Sequence, residues 1–180
     1  MDPSTNNLFL VGMMGSGKTT VGRIVARRLR RRFIDTDHEI ERRCGVRIPL
    51  IFDIEGEAGF RQRESQTIEA LTARSGIVLA TGGGAVLTEE NRTCLAKRGM
   101  VVYLHAKPET LYARVSHDRN RPLLATPDPL GRMQELYAQR DSLYRSVADL
   151  VVETGTQSVH ALAAELLARL KSHQPGLSIA

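Results

Sequence analysis

Residues 8–24 read LFLVGMMGSGKTTVGRI. A short apolar run, residues 8–12, enters a glycine-rich turn, and Lys18-Thr19-Thr20 opens a helical pattern over 18–31. Gly12 to Thr19 fits GxxxxGK[ST] without a gap, and the setting that gives this pattern meaning, a strand before and a helix after, is present. Glycines let backbone N–H groups converge on phosphate oxygens. The helix that follows points its positive end at the same spot. Gly12, Gly15, Ser16, Gly17, Lys18, Thr19 and Thr20 are therefore expected to cradle the phosphates of a nucleoside triphosphate. Lys18 can reach the β- and γ-phosphates, and the Thr19 hydroxyl can ligate Mg²⁺. The pattern leaves open whether water or a second molecule accepts the phosphoryl group.

Outward from this turn, apolar runs at 33–37, 77–86, 100–106 and 149–154 read as further strands. Helical patterns fill 57–73, 108–117, 132–148 and 158–171, and residues 38–56 read as one or two short helices broken near Gly45 and Pro49. Thr88 is placed to cap another helix, with Glu89 and Glu90 in its first turn. Residues 118–131 form a proline-rich loop and 172–180 a frayed tail. Strands that are continuous apolar runs, alternating with helices, predict a parallel sheet covered on both faces. No repeat, low-complexity segment or linker interrupts the 180 residues, so one α/β domain over 1–180 is expected.

Composition narrows the class. The chain is 42% hydrophobic and 25% charged, with no Trp and 4% aromatics, so its core must be mainly aliphatic. Two cysteines, Cys44 and Cys94, make neither a disulfide framework nor a Cys-rich metal site and read as reduced thiols. The polar N-terminus MDPSTNN has no leader pattern, and no apolar run is long enough to span a bilayer, so a cytoplasmic protein without membrane association is expected. The net charge of +5 is carried mostly by arginine. The densest cluster, ARRLRRRF at 26–33, falls where the first helix ends, and cations there complement the helix dipole. Arginine bias also suits bidentate anion binding.

Several charged residues stand where charge is costly. Asp35 and Asp37 lie two apart at the end of the second strand, so both are expected on one face, at the sheet end that borders ligand crevices. Like charges so close need a cation. Asp35 is assigned to Mg²⁺, through water, and Asp37 to the acceptor hydroxyl as base or orienter; the alternative for Asp37 is an N-cap. Arg61 interrupts the apolar face of the 57–73 helix, although Glu57 and Glu64 stand at ion-pair spacing from it. Arg140 falls inside the stripe Met133, Leu136, Tyr137, Tyr144 and Val147, so its guanidinium must meet an anion. Arg114, Arg119 and Arg121 flank the proline-rich loop, which reads as a lid that excludes water from a kinase site. Gly82-Gly83-Gly84 removes every side chain, so a ligand can approach the backbone. The five histidines, His38, His105, His117, His160 and His173, show no metal-ligand spacing and read as surface or helix-end residues.

Taken in order, GMMGSGKTTVGR, DTDHEIE, EGEAGFRQRE, TGGGAV, RPLL and RDSLYRSVAD make the chain resemble the shikimate kinases over about residues 7–170. The first of these is generic; DTD, GFRxRE and GGG together carry the resemblance. It implies a P-loop, nucleoside-monophosphate-kinase-like α/β fold, a five-stranded parallel sheet in the order 2-3-1-4-5 flanked by helices, with an acceptor-binding region at about 37–61 and a lid at about 117–130. It implies transfer of the ATP γ-phosphoryl to the 3-hydroxyl of shikimate, with Mg²⁺ as cofactor, on the chorismate route to aromatic amino acids. Carried over, Lys18 and the glycine-rich loop hold phosphates, and Thr19 and Asp35 serve the metal. Asp37 contacts the acceptor hydroxyls; Arg61 and Arg140 hold the acceptor carboxylate; Gly82, Gly83 and Gly84 line its site. Arg121 is the lid arginine that reaches the phosphates, Arg114 lies against adenine, and Gln157 borders the adenine pocket. RIPLIFDIEGE keeps the length of the acceptor region but not every common residue. A monomer is expected.

Other functions fit less well. A kinase of the same fold could take gluconate or a nucleoside monophosphate, but GFRQRE offers no base pocket. In a non-catalytic nucleotide switch, Asp37, Arg61 and Arg140 would have no reason to converge. A nucleic-acid-binding NTPase suits the pI of about 9.6 but lacks an aromatic stacking platform.

Overall fold

Leu8–Val11 forms the central strand, β1, with all four side chains buried. In this computed structural model, residues 6–117 and 122–173 are described. The remaining strands are β2 (Arg32–Asp35), β3 (Ile77–Ala80), β4 (Met100–His105) and β5 (Leu150–Glu153). They pair in parallel, in the order β2-β3-β1-β4-β5, which is the order the resemblance implied. β3 and β4, like β1, are buried throughout, as a sheet covered on both faces requires.

α1 (Lys18–Arg28) and α7 (Val159–His173) cover one face, where Val21, Val25, Leu162 and Leu166 pack on Leu8, Leu10, Val102 and Val152. The other face carries α4 (Glu89–Arg98), α5 (Pro108–Val115), α6 (Pro129–Val147) and the C-terminal half of α3 (Ile48–Thr72). α2 (Thr36–Cys44) and the N-terminal half of α3 stand apart on a small core of their own, Ile40, Ile51 and Phe60, with Phe52 and Phe60 rings 4.8 Å apart.

Five local expectations are corrected. Asp37 is not on a strand: β2 ends at Asp35, which N-caps α2 by accepting from the Asp37 and His38 N–H groups. Pro49 does not break a helix; it sits in the first turn of α3, where a missing N–H costs nothing. The break is at Gly56, whose φ of 67° kinks α3. α6 starts at Pro129 rather than 132, with Asp128 as cap, and α7 continues to His173, so the first residues of the expected tail are helical. Thr88 does stand at the N-cap of α4, but its side chain makes no capping bond.

Candidate active site

The glycine-rich turn between β1 and α1 is shaped by its own backbone. Gly12 has φ of 142°, and a Cβ there would lie 2.6 Å from the Leu104 carbonyl oxygen. Gly15, at φ 80°, would meet the Leu111 carbonyl at 2.9 Å. Lys18 is buried, and its Nζ donates to the carbonyls of Gly12 (2.7 Å) and Met13 (2.8 Å). The ammonium is thus held inside the loop, at the N-terminus of α1. Thr19 Oγ1 donates to Asp35 Oδ2 at 2.6 Å, while Asp35 Oδ1 takes the Asp37 N–H at 3.0 Å. Among the described residues no three His, Cys, Asp or Glu side chains gather into a metal cage. A hydroxyl and a carboxylate in contact beside a phosphate cradle are what Mg²⁺ needs, because it draws its remaining ligands from phosphate and water.

These groups line a cavity of about 650 Å³ that also includes Thr20, Arg114, Gly155 and Gln157. Arg114 donates to Gly15 O (3.1 Å), Thr154 Oγ1 (3.1 Å), Thr154 O (3.2 Å) and Gly155 O, tying the cradle to the loop after β5. Gln157 accepts from the Gly155 N–H (2.7 Å) and donates to Glu153 O (2.8 Å), so it shapes that same loop. Arg119 and Arg121 lie outside the described residues.

A second cavity, of about 120 Å³, shares Met14, Asp37 and Gly83 with the first. Its polar lining is Asp37, Glu41, Arg47, Arg61, Glu64, Gly82, Gly83, Gly84 and Arg140. Ile48, Pro49, Phe52, Phe60 and Leu123 form an apolar wall. Every acceptor-site residue expected from the sequence is brought together here, although they come from α2, α3, the loop after β3, and α6.

The charges in this pocket are unevenly satisfied. Arg61 is gripped by Glu64 (2.7 Å) and Glu57 (2.9 Å). Burial works against its charge, but the two carboxylates prevail and raise its pKa. Glu64 is fully buried; burial raises its pKa against the pull of Arg61, and its Oε1 has no hydrogen-bond partner. Arg140 is 2% exposed, and its Nε and Nη1 have no hydrogen-bond partner. Burial accordingly lowers its pKa. Two buried N–H groups without acceptors form a site short of one anion.

α6 is pinned so that Arg140 faces the pocket. Tyr144, one turn on, donates to the Gly83 carbonyl and stacks on Tyr103 at 4.9 Å. Burial raises the Tyr144 pKa, which keeps the phenol a donor. Tyr137 bonds His105 (2.7 Å), His105 bonds Glu153 (2.6 Å), and Asp141 takes the Tyr103 hydroxyl (2.9 Å). His105 is therefore a buried structural residue, not the surface or helix-end group expected; the other four histidines are exposed. The glycines after β3 serve space rather than conformation. A Cβ on Gly82 would collide with Glu64 Oε1 and lie 2.9 Å from Asp37 Oδ1, and one on Gly84 would overlap the Arg61 guanidinium.

Glu64 and Tyr144 were not expected in site roles. Their spacing, three residues after Arg61 and four after Arg140, was the available signal. The apolar wall and the α6 network had none, since they depend on how α2, α3 and α6 meet.

A family model for shikimate kinase matches residues 14–171 of the chain. The chain belongs to the shikimate kinase family. Shikimate kinases of Cupriavidus pinatubonensis and Ralstonia nicotianae are 61% and 60% identical to it, covering 95% and 93% of the chain and 89% and 88% of their own lengths. Among solved structures, the family member from Acinetobacter baumannii, in complex with shikimate, superposes with a TM-score of 0.92 at 47% identity over 94% of this chain and 95% of that one. The Aquifex aeolicus enzyme gives 0.81 at 34% identity over 93% and 97%.

Proposed function

We propose that this chain transfers the γ-phosphoryl group of ATP to the 3-hydroxyl of shikimate, giving shikimate 3-phosphate and ADP. The observation that carries the reading is Arg140, whose two buried, unpartnered N–H groups sit with Arg61 in a pocket that opens through Asp37 and Gly83 onto the phosphate cradle. A small carboxylate bearing hydroxyls matches this charge and shape, and the shikimate-bound relative supports that choice.

Lys18 and the backbone of Gly12 to Thr19 hold the phosphates, and Arg114 and Gln157 keep the loop after β5 beside the nucleotide. Thr19 and Asp35 hold Mg²⁺, which supplies charge neutralisation on the phosphates when bound. Arg140 and Arg61 bind the carboxylate, and Gly82, Gly83 and Gly84 present backbone to the ring face. Asp37 stands at the junction of the two cavities, orients the hydroxyl and accepts its proton. The hydroxyl oxygen bonds phosphorus, the β–γ bridging bond breaks, and ADP leaves. No helix among the described residues is long and apolar enough to cross a membrane.

The test is coupled ADP release with Mg-ATP, with and without shikimate. ADP that appears only with shikimate, saturably, is the expected result. ADP release independent of shikimate would make the protein an NTPase and overturn the reading.

A further inference from the structure

The acceptor pocket has a third arginine, at its rim, that the scheme above does not use. Arg47 lines the same cavity as Arg61 and Arg140. Its backbone is fixed as the N-cap of α3, where its carbonyl takes the Leu50 N–H (3.0 Å) and the Ile51 N–H (3.3 Å). Its side chain is different: 72% exposed, with one ion pair among the described residues, Nε to Glu41 Oε1 at 3.7 Å. That separation exceeds a hydrogen bond. The Glu41 oxygen is already committed to the Ile48 N–H at 3.1 Å. Arg47 is thus anchored at its backbone and loosely held at its head.

We propose that Arg47 is the capture residue for the acceptor, drawing its carboxylate to the rim before Arg61 and Arg140 receive it inside. This rests on the reading of the acceptor as a carboxylate. Glu41 also lines the cavity, so without Arg47 an incoming anion would meet a carboxylate at the entrance. With Arg47 present, that charge is offset and the field through the entrance favours anions. Phe52, Phe60, Ile48 and Pro49 supply low-dielectric walls that concentrate such a field. A guanidinium at the rim acts across a pocket this small, because screening at physiological salt sets in over about 8 Å. Its exposure lets the side chain meet a molecule still in solvent and release it inward, which the two deeper arginines, Arg61 and Arg140, could not do.

The experiment is a charge series at one position: Arg47→Lys, Arg47→Gln and Arg47→Glu. Each is assayed for kcat and kcat/KM with shikimate from low to high ionic strength. Arg47→Lys should stay within about twofold of the parent, Arg47→Gln should lose several-fold in kcat/KM, and Arg47→Glu about tenfold at low salt. These losses should shrink as salt rises, with kcat nearly constant. Arg27→Glu, the same charge change in the exposed last turn of α1, controls for net charge and should leave both constants alone. Equal loss in the Lys and Gln variants, or a loss that persists at high salt, would mean a packing role and overturn the proposal. An unchanged kcat/KM in Arg47→Glu would overturn it outright. If the parent protein shows no shikimate-dependent ADP release, the proposed function itself has failed and the capture role falls with it; a parent that turns over with an insensitive Arg47 sinks only the capture role.

Discussion

The two halves of the site are built on different principles. The phosphate cradle is one contiguous turn: Gly12 and Gly15 have backbone conformations, with φ of 142° and 80°, that favour glycine whatever surrounds them, and the Leu104 and Leu111 carbonyls leave no room for a Cβ besides. The acceptor pocket is assembled from four distant segments, and its glycines answer to neighbours: Gly82 and Gly84 leave room for Glu64, Asp37 and Arg61. A site made of backbone can be written in consecutive residues. A site made of side chains needs the whole fold to bring it together. Asp37 sits where the two cavities meet, so it offers the sharpest way to separate them. Asp37→Asn should leave nucleotide affinity unchanged by fluorescent-nucleotide titration while lowering kcat about 10³-fold, the scale of a lost proton acceptor in the transition state. A matching loss of nucleotide affinity would mean that the cavities are one energetic unit.

Arg140 tests the claim that the pocket is incomplete without an anion. Arg140→Met should raise the KM for shikimate about 30-fold or more, the cost of losing one partner of a buried charge pair. It should also raise the melting temperature of the ligand-free protein, because a buried guanidinium with two unsatisfied N–H groups is replaced by a side chain that needs no partner. Opposite signs for stability and affinity are the signature of a residue kept for its ligand. A lower melting temperature would mean that Arg140 is a structural cation after all.

A crossed pair of substitutions tests the two kinds of glycine. Gly82→Ala should raise the KM for shikimate about tenfold, by pushing Glu64 and Asp37 out of register, and leave the KM for ATP alone. Gly15→Ala should do the reverse, because its strain falls on the phosphate loop. If either change moved both constants equally, the division between backbone site and side-chain site would fail.

The same division explains what could be read in the sequence. The glycine-rich turn, the strand order implied by the resemblance, and the residues Asp37, Arg61, Gly82 and Arg140 that gather in one pocket are legible in the sequence, because motif spacing is a property of the chain. Asp37 was recognised but assigned to the wrong element. An apolar run followed by two acids looks like one strand, and only the capping bonds of Asp35 show that a helix has begun between them. Pro49 reads as a breaker because proline usually is one, whereas a first-turn proline and a left-handed Gly56 reverse the roles. His105 reads in the sequence as a surface or helix-end residue, but Tyr137 and Glu153 close on it from α6 and β5. The first two differences come from local capping and helix-start geometry within a few residues; His105 is the one case where a tertiary contact overrides a local rule.

The smallest effect comes from Glu64, the acid that pairs with Arg61 and crowds Gly82. Burial raises its pKa above the ordinary carboxyl value. Below that ordinary value the group is protonated in both folded and unfolded chains and contributes no pH dependence. As pH rises past it, the unfolded chain releases its proton first while the folded chain retains it. The unfolded state then binds fewer protons, so stability falls with rising pH until the folded carboxyl also ionises, and there the fall stops. Glu64→Gln keeps an oxygen for the Arg61 hydrogen bond but cannot ionise. Urea midpoints measured from about pH 4 upward should therefore fall less steeply in Glu64→Gln than in the parent, by under about 1.4 kcal/mol per pH unit, the limit for one proton. The two curves should become parallel once pH exceeds the folded pKa. Parallel curves throughout would mean that Arg61 holds Glu64 ionised even in burial, and the pocket would then carry one more negative charge against its three arginines than the geometry implies.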